Sequence, residues 1–540
     1  MPFAGSDIMK MAVIPMNEKG AILGGPWQYR NPPFLTLPGN PPLEEVTLYD
    51  FKVNEIPEPE DIDNIPEDYG KELVEVMEKK VRAYTYYCDL DADADWDDSI
   101  FWNGGKHTDE EIKACLDARN KSGDGSKENP WKNLTWALEQ VECICSNLCC
   151  QYVRIICSGT AYYTARIYKD ELYLGFGGNK HFILENANVN VSNKRESYCF
   201  YRMTGTFFHK CNAVFENSEI TEYCYSSFFS DCNNGFFYQC QLKCNATVNM
   251  YDQFQDFEHQ GFVYCNNSKF YKCVYNMNSN VAVKDPRDLY AFSSSSCIYY
   301  ECDAVIYSKN ADIMVYSGGS EFYKCNITFM GDNSDITGIY STFGRAYNCN
   351  LDFSSVNSLS VYFIYCETAY NCNIKYTGSR SYHGSSYITG LSCEKLYNCT
   401  AEIEANNFWS ITGYYDFIKC HNCNSNITLE TGFQGTVVGF DGRNGEKPVE
   451  IISNCSCTCV CSSTSDASAV SYVYGYRNES RIYNNEVLNN FSYTISASAK
   501  GNFYDKWISE NEYECGVYIY PECKEGYRCE KRTQEGTESC

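Results

Sequence analysis

The sequence predicts an all-β protein, a right-handed parallel β-helix solenoid with coils of about 23–29 residues. Three observations predict it. First, a pattern of Tyr, a polar residue, Cys, a polar residue and an aliphatic residue recurs: "EFYKCNIT" returns as "IYYECDAV", "RAYNCNLD", "AYNCNIKY" and "KLYNCTAE". Second, the marker cysteines Cys302, Cys325, Cys349, Cys372, Cys399 and Cys423 keep a period in the low twenties, and Cys244, Cys273 and Cys302 stand slightly further apart. Third, side chains alternate within each motif. Tyr323, Cys325, Ile327 and Phe329 share one parity, and Phe322, Lys324, Asn326 and Thr328 share the other. A half-buried strand requires such alternation, and a helix does not produce it.

In order along the chain, residues 1–68 carry "YRNPPFLTLPGNPPLEE" and "NEIPEPEDIDNIPEDYG". Proline fixes φ and removes donors, so this segment reads as an extended arm without a core of its own. Residues 69–122 contain a short helix over 70–82, with Leu73, Val74, Met77 and Val81 on one side, then an acidic loop. In that loop Asp89, Asp91, Asp93 and Asp95 are spaced like Ca2+ ligands. Neither register supplies the glycine and the glutamate of an EF-hand, so a solvated acidic loop is the competing reading.

Residues 123–150 hold a Gly-Asp-Gly turn, Pro130-Trp131 and an amphipathic helix through Leu134, Ala137, Leu138 and Val141. The cluster "CICSNLCC" at 143–150 matches no standard zinc spacing and reads as core packing. Residues 151–500 carry the solenoid. Its second strand per coil is visible in "DIMVYSG", "SVYFIYC", "SYITGLSC" and "TVVGFDG". Residues 501–540 change composition and contain Cys515, Cys523, Cys529 and Cys540, a tail expected to cap the open sheet end.

The 33 cysteines admit three readings: core thiols, disulfides or metal ligands. Stacked strands lie about 4.8 Å apart, whereas a disulfide wants Cβ atoms about 3.8 Å apart. The six histidines do not follow the repeat. The ladder is therefore read as reduced, apolar core thiols, with Cys366 and Cys393 as a second partial column. Disulfides fit better in the C-terminal tail. Sequons at Asn245, Asn326, Asn398, Asn426, Asn454, Asn478 and Asn490 arise readily in a chain rich in Asn and Ser, and glycosylation is the lesser reading.

The turn, the Pro-Trp helix and the strand "YVRIICSG" resemble the start of right-handed parallel β-helices of the pectin-lyase-like superfamily, over about residues 120–500. That fold hosts lyases, hydrolases, adhesins and viral spikes alike, so the resemblance implies a fold more than an activity. With the Pro-rich arm, the chain resembles a bacteriophage tailspike or virion fibre.

Composition excludes some classes. The net charge is −26, from 44 basic and 70 acidic residues, which gives no footprint for nucleic acid. No apolar run reaches membrane-spanning length, and "MPFAGSDIMKMAVIPMNEKG" is a poor secretory signal peptide. No nucleophile elbow, Walker or dinucleotide motif stands in a credible context. Glu301, Asp303 and Asp352 are the only outward carboxylates in the repeat singled out for sugar-cleaving chemistry.

The expected function is a non-catalytic structural and attachment protein whose β-helix binds a host-surface polysaccharide or glycan. Its place would be a virion or an extracellular surface, docked to a larger particle through residues 1–68. Phe270 and Phe322, read as outward aromatics, point to a homotrimer. The alternatives are a polysaccharide lyase or glycoside hydrolase on the same fold, and a secreted cell-surface adhesin.

Overall fold

The computed structural model describes residues 43–54, 73–92, parts of 123–138, and 152–463 with short gaps; separate strands between 472 and 539 follow. Residues form two units, the first Met1–Phe51, Val76–Ala246 and Gln255–Val274, the second Lys52–Glu75, Thr247–Phe254 and Tyr275–Cys540. Both are parallel β-solenoids. Among the described residues no helix is long and apolar enough to cross a membrane.

In the first unit, strand β2 (Val74–Asp89) pairs in parallel with β3 (Tyr152–Ser158), with Ala83 opposite Tyr152 and Asp89 opposite Ser158. The same column continues through Phe182–Glu185, Phe207–His209, Phe236–Tyr238 and Lys269–Tyr271. Two further columns, through Asn188–Ser192 and through Cys224–Phe228, close each coil.

The segment read as a helix over 70–82 is thus a strand. Its apolar residues matched a helical period by coincidence. Met77 is exposed, Tyr86 and Cys88 face into the first coil in register with Ile155 and Cys157, and Val81 and Ala83 are buried on the opposite face. The Gly-Asp-Gly turn packs beside β2, where the Gly125 carbonyl accepts from the Tyr87 amide at 2.9 Å. Gly123 and Gly125 have φ of 89° and 77°, and a Cβ on Gly125 would stand 2.6 Å from the Trp131 ring. Trp131 is buried, stacks on Tyr86 at 5.0 Å and joins the backbone of Tyr87 and Asp89. The "CICSNLCC" cluster lies outside the described residues.

The Pro-rich arm is corrected in part. Strand β1 (Leu43–Val53) lies within it and docks on this chain's own solenoid. Phe51 is buried against Phe236 and Tyr271, and Tyr49 stacks on Tyr238 at 4.7 Å. Lys269 Nζ fastens the strand, donating to Asp50 Oδ1 at 2.7 Å and to the Phe51 carbonyl at 2.8 Å. Val46 and Leu48 complete a cluster with Val81, Ala83 and Ile183. Apolar burial of this kind, about 25 cal/mol per Å2, supplies the core the proline-rich stretch lacks by itself.

In the second unit the Cys-marked column runs through Ile298–Tyr300, Glu321–Tyr323, 345–347, 368–370, 395–397 and Lys419–His421. Beside it, Asp303–Lys309 pairs with Asn326–Asp332, then with Asn350–Val356, Asn373–Ser379, Thr400–Asn406 and Asn424–Thr431. The upstream strands expected in each coil form the third column. Residues 503–539 change from parallel to a four-stranded antiparallel sheet, where the composition breaks.

The motif itself is a corner, not one continuous strand. Ser296, Glu301, Lys324, Asn348, Asn371, Asn398, Asn422 and Asn454 each immediately precede a cysteine, and all have φ between 51° and 57°. A left-handed residue resets the alternation, and Asn enters that region more easily than most. Phe322 and Phe270, expected outside, are consequently inside. Phe322 stacks on Tyr299 at 5.2 Å within the coil, and Tyr323 on the opposite face stacks on Tyr347 at 5.0 Å. The trimer argument built on these two outward phenylalanines falls.

The 24 cysteines from Cys88 to Cys461 whose side chains are described are all buried, and none is in a disulfide. The corner thiols also cap the turn they follow. Cys372 Sγ donates to the Tyr370 and Ala346 carbonyls at 3.3 and 3.4 Å, and Cys399 Sγ to Tyr397 and Ala369 at 3.3 and 3.6 Å. Thiol donors are weak, but they face carbonyls shut away from water. Burial pushes the thiols of Cys244 and Cys325 far above their usual range. Cys349→Ala is expected to cost about 1–2 kcal/mol through lost packing. Cys349→Ser recovers part of that by restoring a donor. Asn350→Ser, on the exposed amide ladder, stays within about 0.5 kcal/mol. Chemical denaturation of the three variants checks this, and equal losses would overturn the corner account.

Candidate functional site

The third column of the second unit turns an aromatic face outward. Its strands are Ile336–Tyr347, Ser360–Tyr370, Tyr387–Tyr397 and Ser410–Phe417. Inward positions carry Ile336, Val361, Ile388 and Ile411 in register, which fixes the opposite face outward. There Tyr340, Tyr362, Tyr387 and Tyr415 are each 41–45% exposed, and Trp409, in the turn just before Ser410–Phe417, is 40% exposed. Tyr340 stacks on Tyr365 at 4.9 Å, with interplanar angle 14°. The register places Ser392 between Tyr365 and Tyr415, and Thr337 and Thr389 on either side of Tyr362. Rings and hydroxyls therefore share this outward face at the spacing the strand register sets.

Below it, at the far ends of the neighbouring column, a groove of about 550 Å3 is lined by Tyr307, Met330, Val356, Gly378, Glu404 and Glu430. Gly378 beside it makes room for the buried Tyr376 ring: a Cβ there would stand 2.1 Å from the Tyr376 hydroxyl. Glu404 lies opposite Thr428, and Glu430 opposite Asn406. The two residues are thus diagonal neighbours on adjacent strands, their backbones about 7–8 Å apart.

The first unit has its own polar groove of about 560 Å3 at a corner. Asn186, Lys210, Gln239 and Lys272 occupy it in the left-handed conformation, and Asn188, Asn212 and Gln241 form the row beside them. Asn212 Nδ2 donates to Asn188 Oδ1 at 2.6 Å. No carboxylate lines this groove, although the whole chain is acidic.

The sequence-predicted residues are placed as follows. Asp89 closes β2 and accepts from the Asp91 amide at 3.2 Å; Asp91 Oδ1 accepts from the Thr160 amide at 2.9 Å. Both act as turn acceptors here, while Asp93 and Asp95 lie outside the described residues. Glu301 sits 3.9 Å from Lys324, and Asp303 Oδ1 accepts from Asn326 Nδ2 at 2.7 Å. Asp352 stands between Thr328 and Lys375. These three carboxylates do not converge on one groove. Asn326, Asn350 and Asn373 continue an amide ladder with bonds of 3.0 Å, so the sequon at Asn326 is engaged in it.

The aromatic face was missed by sequence reasoning. Its signal was the set of tyrosines in the upstream strands, "GIYST", "VYFIYC" and "SSYITG", which stand off the inward parity. No family model matches the chain. No curated protein and no solved structure matches it either.

Proposed function

We propose that this chain is a non-catalytic attachment protein whose solenoid binds a glycan. The aromatic and hydroxyl face of the second unit carries the reading. A sugar ring presents C–H groups that suit the negative face of an aromatic ring, and edge hydroxyls that pair with Ser and Thr. Exposed aromatics repeated coil after coil suit a ligand that is itself a repeating chain. The amide-rich corner groove of the first unit offers donors and acceptors together, as a sugar hydroxyl requires.

Placement on a virion or extracellular surface, and assembly with further copies, rest on the resemblance to pectin-lyase-like tailspikes. Docking to a larger particle falls to the part of residues 1–68 outside β1, because β1 is engaged by its own solenoid.

The test is a glycan array probed with the full chain, then with Trp409→Ala and Tyr387→Ala. Each truncation is expected to weaken binding about tenfold or more, since aromatic anchors commonly carry above about 1.4 kcal/mol. Both side chains are solvent-facing, so melting temperatures should hold. Wild-type affinity in both variants would overturn the reading.

A second reading is favoured by one observation. The diagonal pair Glu404 and Glu430 lines one groove, and an inverting glycosidase holds two carboxyls about 6.5–9.5 Å apart across such a site. Cleavage of an array-positive polysaccharide, lost in Glu404→Gln, would replace attachment by hydrolysis.

A further inference from the structure

The thiol ladder of the second unit has one departure. In the coils before it, the inward position of the Cys-marked strand is held by Phe322, Ala346, Ala369 and Leu396. In the next coil that position is Cys420, opposite Leu396. A second thiol thus enters the core one turn of chain before the corner thiol, as Cys420-His421-Asn422-Cys423. The following coil contributes its own corner thiol, Cys455.

The three sulfurs converge. Their Sγ atoms all lie within 4.8 Å of one another, and this is the one such group of three ligands among the described residues. Cys455 Sγ and Cys420 Sγ are 3.7 Å apart. Metal–sulfur bonds of about 2.3 Å put sulfurs about 3.8 Å apart in a tetrahedron and about 4.0 Å apart in a trigonal plane. The Cys420–Cys455 spacing therefore fits one edge of a metal's coordination shell. Two of the thiols are a C-x-x-C pair, a spacing common at zinc sites.

The backbone N–H of Cys423 also donates to Cys455 Sγ at 3.4 Å. As thiols, Cys423 and Cys455 keep the ladder's bonds to the His421 and Ser453 carbonyls at 3.3 and 3.2 Å, which metal binding would give up. An N–H aimed at sulfur stabilises the anion that a metal needs. Beside it, buried His421 is fixed by its Nδ1 lying 2.6 Å from Ser453 Oγ.

We propose that Cys420, Cys423 and Cys455 bind one thiophilic closed-shell cation, Cu+ or Zn2+. Three thiolates complete a trigonal Cu+ site; Zn2+ would take a water as its fourth ligand. Binding releases the thiol protons to solvent, and the three thiolates are left with a net charge of −1 around Zn2+ or −2 around Cu+. No oxidation is involved.

The test uses the full chain, reduced anaerobically with a phosphine and stripped of metal. It is loaded in separate arms with Zn2+ and with Cu+ against a chromophoric competitor, then desalted and assayed for metal. One equivalent is expected in at least one arm. Retention of Cu+ alone assigns the three-coordinate site, and retention of Zn2+ assigns the water-completed one. The Cys420→Ser/Cys455→Ser variant should retain none, and the ladder variant Cys349→Ser should retain the full equivalent. A footprint on the unmodified chain guards against misfolding of the double variant. During a brief denaturant pulse, bound metal should slow alkylation of Cys420, Cys423 and Cys455 several-fold relative to Cys349 and Cys372. No retained metal in either arm, equal retention by the folded double variant, or protection spread evenly along the ladder would overturn the site.

Discussion

Phe237→Ala is expected to destabilise the first unit by about 3–5 kcal/mol, the largest effect of any single truncation considered. Phe237 is the middle ring of one stack and the wedge in another. It lies on Phe208 at 4.8 Å and on Phe270 at 4.5 Å, with interplanar angles of 6° and 5°. The parallel stack Phe200–Phe229–Phe262, with spacings of 4.8 and 4.7 Å, meets it edge-on. Phe229 and Phe262 each stand 5.8 Å from Phe237. Offset and edge-on pairs add about 0.5–1.5 kcal/mol beyond area burial, so the loss exceeds that of an ordinary core phenylalanine. In-register strands on either side cannot move together to fill the void. Urea unfolding of the purified variant measures it, and a loss below about 1 kcal/mol would show that the coils collapse around the gap.

Acidification is expected to weaken the same unit, with His259 as the main group responsible. Its ring is buried between Phe215 and Phe228, at 6.0 and 5.8 Å, with Nδ1 2.6 Å from Ser226 Oγ. Burial pulls its pKa down to about 3. An unfolded histidine titrates near about 6.5. Between those values the unfolded chain takes up a proton that the folded chain refuses. Stability is therefore full above about pH 6.5 and falls as pH drops toward 3. At 1.36 kcal/mol per unit the window amounts to about 5 kcal/mol at most. Glu185 adds a lower limb. Its burial alone would raise its pKa, but hydrogen bonds from His209 and Arg154 outweigh that and hold it at about 2. Its contribution is present above about pH 4.5 and is lost toward pH 2. His259→Gln should flatten the melting temperature between pH 7 and 5 while leaving the Glu185 limb. An unchanged slope in that variant would exclude His259 as the sensor.

The period, the inward Ile and Leu positions and the burial of the thiols were legible, because each depends on residues of one coil repeating in the next. What failed depended on backbone hand or on contacts between coils. Asn before Cys at 348, 371, 398 and 422 was a readable corner signal, since Asn tolerates positive φ. Lys324, Glu301 and Gln239 adopt the same conformation with no such signal, forced by their neighbours. One unrecognised corner shifted the parity by one and put Phe322 on the wrong face. Over 74–89 the helical spacing of Leu73, Val74, Met77 and Val81 was real, but pairing with β3 overrode it. The aromatic face needs Tyr340 and Tyr365 to stack across coils, and the thiol trio needs Cys455 brought to Cys420. Neither pairing exists within any single repeat.

The recurring corner also sets the grain at which such a gene can change. Asn326, Asn350 and Asn373 follow successive corner cysteines and share one register. Excision of residues 350–372 would join Cys349 to Asn373 and leave Asn326 facing an identical partner. The amide ladder, the thiol column and the tyrosine stack would all close over the cut. Unequal recombination between coils can therefore vary copy number without a new core having to be invented. Breakpoints elsewhere in a coil would throw inward residues outward. In such a lineage whole coils, rather than single substitutions, are the units of inheritance, and the exposed faces lengthen or shorten with them.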